Sequence, residues 1–165
     1  MMRINARHVN PFIEAAMRVV DQIAGIEVRR GHLSYKERVE PSFDISIVIG
    51  IRGFLEGMVV YSLSEQLAGR LADKLLEGKS PEARKIMFLD CLGEVANMIT
   101  GAASALLNQG RDGVLNMTTP AILAGDDRGA PLPSKPALVL GLITLYGPIE
   151  VSIAVEETEA LLEAV

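Results

Sequence analysis

Apolar residues recur at helical spacing in three places along the chain and at strand spacing in several others. From about residue 9 to 24, Phe12, Ile13, Ala16, Met17, Val20 and Ile23 return every three or four positions, which predicts a helix with one buried face. Asn10 before Pro11 predicts its start, an N-cap followed by proline in the first helical position, and Gly25 predicts its end. A second helix is predicted from the Ser64 cap to Gly78, with Glu65 in the first turn and Leu67, Leu71, Leu75 and Leu76 on one face. The third and longest runs from about 81 to 108, opened by Ser80-Pro81 and closed by Asn108-Gln109-Gly110. Between and after these lie the strands. Ile26 to Tyr35 predicts one, interrupted by Arg29-Arg30-Gly31. Phe43 to Ile51 and Leu55 to Ser62 predict two more, joined at Arg52-Gly53 into an antiparallel hairpin. Val114 to Leu123 predicts one or two short strands around Thr118-Thr119-Pro120. Ala137 to Tyr146 and Ile149 to Val155 predict a second hairpin across Gly147-Pro148, and Glu156 to Val165 a short terminal helix. Gly125 to Gly129 and Pro131 to Pro133 predict loops.

The order repeats itself. Residues of about 9 to 78 and of about 81 to 165 each read helix, strand, hairpin, helix, within one domain spanning 1 to 165. Pro41 opens one hairpin and Pro136 the other, and Met58 to Leu63 matches Val151 to Glu156. Two such halves predict an α+β fold, a mainly antiparallel sheet with two long helices on one face.

The longest helix carries a departure from simple patterning. At about 100° per residue, Asp90, Glu94, Asn97 and Gly101 fall within a sector of about 60°. Met87, Cys91 and Met98 flank this polar stripe, and Leu89, Leu92, Ala96, Ile99, Ala103 and Leu107 form the face expected to be core. The first helix repeats the spacing with Asn10, Glu14 and Met17, so methionine stands where asparagine would be.

Composition narrows what the stripe can act on. The net charge is −5 with no tryptophan, which disfavours nucleic acid as a partner. No uninterrupted apolar run is long enough to span a bilayer, and Met1 to Ala6 lack a signal-type apolar segment. The single Cys91 cannot form an internal disulfide, so the expected compartment is the cytoplasm. Neither His8 nor His32 belongs to a metal-ligand spacing, and no phosphate-binding glycine motif or serine–histidine arrangement is present. Cys91, among leucine and glycine, reads as a small buried hydrophobe, and Asp126-Asp127 as a solvated turn.

Two readings of Glu94 and Asn97 remain open on these grounds. One is an ordinary solvated helix face. In the other, the Asn97 amide, which both accepts and donates, holds a water in a fixed place, while Glu94 pairs with a cation on a partner. A positioned water with no strong base suits phosphoryl transfer to water, where positioning and charge neutralisation supply most of the catalysis. Gly101 would admit close approach of the partner.

The series Asp90-x3-Glu94-x2-Asn97-x3-Gly101 on a long helix of a duplicated chain resembles the CheC/FliY/CheX phosphatase family. Thr119 to Gly125 is similar to the loop that follows the motif helix in that family. One intact motif, in the second half, resembles CheX; CheC carries two. The resemblance implies a CheC-like fold and hydrolysis of the aspartyl phosphate of a CheY-like response regulator. It implies that Asn97 orients the attacking water and that Glu94 anchors the receiver lysine. Asp90, Met98 and Gly101 would then contact the partner. It also implies no cofactor of the chain's own, a Mg²⁺ supplied by the receiver, and a homodimer. The alternative is a non-catalytic adaptor that binds a receiver or a flagellar-switch protein through the same helix.

Overall fold

The computed structural model describes residues 5–40, 42–109, 115–125, 132 and 135–158. Its elements run α1 (Ala6–Ala24), β1 (Arg29–Lys36), β2 (Ile45–Arg52), β3 (Leu55–Leu63), α2 (Glu65–Leu75), α3 (Pro81–Asn108), β4 (Asn116–Met117), β5 (Ala121–Ala124), β6 (Ala137–Thr144) and β7 (Gly147–Glu157). All strand pairs are antiparallel. The seven-stranded sheet has the order β1-β6-β7-β3-β2-β4, with β5 also paired to β2. The fold is the expected α+β arrangement of helices on an antiparallel sheet.

The two hairpins, β2–β3 and β6–β7, meet at the centre, where β3 pairs with β7 from Leu55↔Glu157 to Leu63↔Ile149. Each outer position is filled from the other part of the chain. β1 adds to the later hairpin through β6, and β4 and β5 add to the earlier one through β2. Alternation decides the faces. Ile45, Ile47, Ile49 and Ile51 of β2, with Leu55, Val59, Tyr61 and Leu63 of β3, join one core cluster with the helices. The alternate positions Met58, Val60, Val139 and Ala154 form a smaller cluster with Val39, against which Val48 and Leu132 pack.

Helix α1 begins earlier than the Asn10-Pro11 pair predicts. Asn5 is the N-cap, its side chain accepting from the Arg7 N–H at 3.0 Å, and Pro11 lies inside the helix. Burial of His8 and Val9 repays the extra turn, while Pro11 removes one N–H from the ladder. The Gly25 stop is as predicted: Gly25 is left-handed at φ 61° and donates to the Asp21 carbonyl. Three other boundaries differ. β1 starts at Arg29, because Ile26 and Val28 are buried before the chain joins β6. The second hairpin turns at Leu145-Tyr146, so Gly147 and Pro148 already belong to β7. Glu156 and Glu157 extend β7 opposite Glu56 and Leu55, where a terminal helix was expected to begin. Thr158 donates its N–H to the Phe54 carbonyl at 3.0 Å, and residues 159–165 of that expected helix, Pro41, Asp126 to Gly129, and the prolines 131 and 133 lie outside the described residues.

Helix α3 matches its predicted bounds. Ser80 caps it by accepting from the Ala83 N–H at 3.1 Å, with proline at its start. By length and composition α3 could cross a membrane, with a mean hydropathy of 1.3 over its most apolar window. Here its apolar side is core: Leu92, Val95, Ala96, Ile99, Ala103 and Leu107 are buried in the main cluster.

Candidate functional site

The site begins with what fixes the rotation of α3. Thr100 is fully buried, and its hydroxyl donates to the Ala96 carbonyl at 2.8 Å. The Tyr61 hydroxyl of β3 lies 2.7 Å from the Thr100 Oγ1. Because Thr100 has one hydroxyl proton, which goes to Ala96, Tyr61 is the donor in this pair. Burial pushes the Tyr61 phenol well above its ordinary range, an effect that the Thr100 hydrogen bond partly opposes. The pair ties the middle of the helix to the central sheet. With Leu92, Ala96, Ile99 and Thr100 turned inward, Asp90, Glu94 and Asn97 are turned out.

Asp90 and Glu94 are exposed, and Asn97 is half-buried one turn beyond Glu94. Among the described residues neither carboxylate is in an ion pair. The stripe therefore presents two uncompensated negative charges and an amide on a rigid element. Gly101 continues it: a Cβ placed there would meet nothing within 4 Å, so the surface is open at that point. Met98 is exposed beside Asn97. The five residues singled out in the sequence are thus brought onto one outward face.

One flank of this face comes from the stretch that the family resemblance singled out, Thr119 to Gly125, whose place beside α3 was not read from the sequence. Gly50 of β2 donates its N–H to Thr118 Oγ1 at 2.8 Å, and the Thr118 N–H returns to the Gly50 carbonyl at 3.0 Å. This two-bond clasp holds the β4–β5 connection against the sheet. Pro120 then packs over Gly93, where an added Cβ would lie 3.7 Å from the proline ring. Pro120 and Ile122 thus cover the helix surface on one side of the stripe. The sequence signal available was Gly93, a small residue about 40° around the helix from Asn97.

Leu89, expected to be core, is 41% exposed. The reason is the length of α3. Its 28 residues extend about 42 Å, against about 36 Å for β7, the longest strand. No residue from Pro81 to Asp90 is buried; the buried positions begin at Cys91. Cys91 itself donates its thiol to the Phe88 carbonyl at 3.0 Å. Burial, and secondly the charge of Asp90, raise its pKa, which keeps it a protonated thiol and not a nucleophile near neutral pH. Among the described residues no group of three His, Cys, Asp or Glu side chains could hold a metal ion.

Comparison with known proteins bears on this helix directly. Residues 45–141, which include all of α3, match the family model described as chemotaxis phosphatase CheX. The chain belongs to the CheX family. A curated relative, the CheY-P phosphatase CheX of Thermotoga maritima, is 29% identical over 125 residues, covering 75% of this chain and 79% of its own. The crystal structure of the chemotaxis protein CheX from Desulfovibrio desulfuricans superposes with a TM-score of 0.77 at 27% identity, over 90% of this chain and 99% of its own. The CheX–CheY–BeF3–Mg²⁺ complex of Borrelia burgdorferi contains a chain that is similar at TM-score 0.72 and 25% identity, over 94% of this chain and 100% of its own.

Proposed function

We propose that this protein is a phosphatase acting on the aspartyl phosphate of a CheY-like receiver domain. The observation that carries the reading is the outward pair Glu94 and Asn97, one turn apart on a helix pinned to the sheet, in a chain of the CheX family. The Asn97 amide orients the attacking water in line with phosphorus. The Glu94 carboxylate, without an ion-pair partner among the described residues, pairs with a lysine of the receiver and sets the distance between the helix and the phosphate. Asp90, Met98 and Gly101 contact the receiver on either side. The chain has no need of a cofactor. The Borrelia complex holds beryllofluoride and Mg²⁺ together with CheY, and the same division of labour would place phosphate and cation in the partner here.

Three further readings accompany the first. The chain arose by duplication, with halves of about 9–78 and 81–165; the strand order, symmetrical about β3–β7, is what a two-fold relation of the halves would produce. The protein forms a homodimer, for which the outer edge of β1, unpaired among the described residues, offers backbone donors and acceptors. It works in the cytoplasm, where receivers are found.

The test is phosphate release from a phosphorylated CheY-like receiver with and without this protein. Acceleration by the wild type, lost in Asn97→Ala at unchanged receiver affinity, supports the reading. Full acceleration by Asn97→Ala would overturn the role of the amide. Binding without acceleration in the wild type would establish an adaptor instead.

A further inference from the structure

The first turns of α3, before its buried positions begin at Cys91, carry exposed apolar side chains among their charged ones, and Met98 adds another further along. Ile86 is 79% exposed, Leu89 41%, Met87 37% and Met98 43%. Their positions around the helix are ordered. Ile86 lies about 40° from Asp90 and about 20° from Asn97, on the polar stripe's own side. Leu89 lies about 80° from Asn97 to one side, toward Pro120, and Met87 and Met98 lie about 80° and 100° to the other. The stripe thus runs between two apolar rails, and Ile86 closes it at the N-terminal end. Large exposed side chains gathered in this way mark a surface that something else covers.

We propose that Ile86 and Leu89 are the anchors by which α3 selects its receiver, an inference that rests on the function proposed above. Three observations favour the receiver as occupant. First, the patch continues the stripe without a break along one helix. Ile86 is about 12 Å along the axis from Glu94, inside the roughly 15 Å radius of a standard interface of about 800 Å² per partner. A receiver centred on Glu94 and Asn97 covers Ile86 as a matter of size. Second, charge argues against a second copy of this chain. A two-fold contact along the stripe would set the uncompensated Asp90 and Glu94 against their own counterparts. Third, the hollow next to Leu89 is lined by apolar Ile45, Phe88 and Ala124 together with the carboxylates Asp44 and Glu65, a combination that suits a basic side chain with a long aliphatic stem. The division of labour is then clear: the amide and carboxylate act at the phosphate, and the apolar rails carry affinity and exclude water around them.

The experiment compares the full chain with Ile86→Ser/Leu89→Ser and with Asn97→Ala. Binding is measured by calorimetry to each CheY-like receiver of the same genome, loaded with beryllofluoride and Mg²⁺. Turnover is measured on the phosphorylated receivers, and oligomeric state by sedimentation. The double variant is expected to remain folded, checked by a cooperative thermal melt, because Ile86 is largely exposed and Leu89 only partly covered. It should bind the preferred receiver about 30-fold more weakly, discriminate less among receivers, and keep its rate at saturation. Unchanged affinity in the double variant, with turnover still lost in Asn97→Ala, overturns this inference and leaves the phosphatase reading intact. A change of oligomeric state in the double variant also overturns it, by assigning the patch to a second copy. A wild type that neither binds nor dephosphorylates any receiver overturns the proposed function itself.

Discussion

At the scale of single residues, the proposed chemistry divides between two side chains with different signatures. Asn97→Ala is expected to slow stimulated phosphate release about 100-fold, equivalent to about 2.7 kcal/mol of barrier, with no change in melting temperature. Glu94→Gln keeps the shape but removes the charge. Its half-saturating receiver concentration should rise, and the dependence of binding on salt should become shallower, since an ion pair across the interface has been lost. Equal salt slopes for the two proteins would refute the lysine pairing. The sequence alone showed that Glu94 and Asn97 share a face, because helical spacing is a property of the local chain. It could not show that Glu94 has no ion-pair partner among the described residues, which depends on what every other element brings near it. Leu89 illustrates the same limit. Its place in the 3.6-residue pattern is that of a core residue, and only the end of the sheet beneath it leaves it exposed.

At the scale of elements, the site depends on how α3 is held. The Tyr61–Thr100 contact can be taken apart from either end, and the two ends should not be equal. Thr100→Val leaves the phenol as a buried donor without an acceptor, whereas Tyr61→Phe leaves Thr100 still bonded to Ala96. The expected losses of unfolding free energy are about 2 kcal/mol for Thr100→Val and about 1 kcal/mol for Tyr61→Phe, read from denaturant melts. A larger loss in Tyr61→Phe would reverse the donor assignment. The central strand pair has its own weak tolerance. Gly57 sits at φ 149°, and a Cβ there would run into the Ala154 carbonyl of β7. Gly57→Ala should therefore cost about 2 kcal/mol or more by the same measurement. Helix boundaries were legible where the chemistry was unambiguous. Ser80-Pro81 names a cap and a first residue, and the structure uses both. Asn10-Pro11 gives the same local signal, yet α1 starts at Asn5, because the burial of His8 and Val9 outweighs the single ladder bond that Pro11 forfeits. The turn after β6 was displaced for a similar reason. Gly147-Pro148 reads as a turn, but Pro148 is paired with Ile143 near the end of the ladder, where a missing N–H costs little.

At the scale of the whole molecule, only α3 carries the full stripe. In α1 the corresponding positions are Asn10, Glu14 and Met17, and Met17 packs against the core. One receiver per chain is therefore the expected stoichiometry, whatever the oligomeric state, and calorimetric titration with a beryllofluoride-loaded receiver measures it directly. Two receivers per chain would mean that α1 binds as well, despite its methionine. The α+β class followed from the order of helical and strand patterns, since amphipathic helices must cover a sheet face. The strand order did not. Periodicity says that β1 and β5 are strands, but nothing local says that each belongs beside the hairpin of the other part of the chain.

That exchange of outer strands governs how the chain can be made. The central ladder joins Leu55 to Glu157 and Leu63 to Ile149, so its partners leave the ribosome far apart in time. Until β7 is synthesised, β3 has an open edge and α3 has only part of its sheet to lie on. Pairings of such long range also close slowly, in the millisecond-to-second regime of sheet-dominated folds, while α3 can coil within microseconds. The helix that carries Glu94 and Asn97 is thus complete while its inward row, Leu92, Ala96, Ile99 and Ala103, has nothing final to cover it. During that interval the nascent chain presents its most apolar surface to whatever is nearby, and a chaperone that shields a long helix would have its greatest effect there.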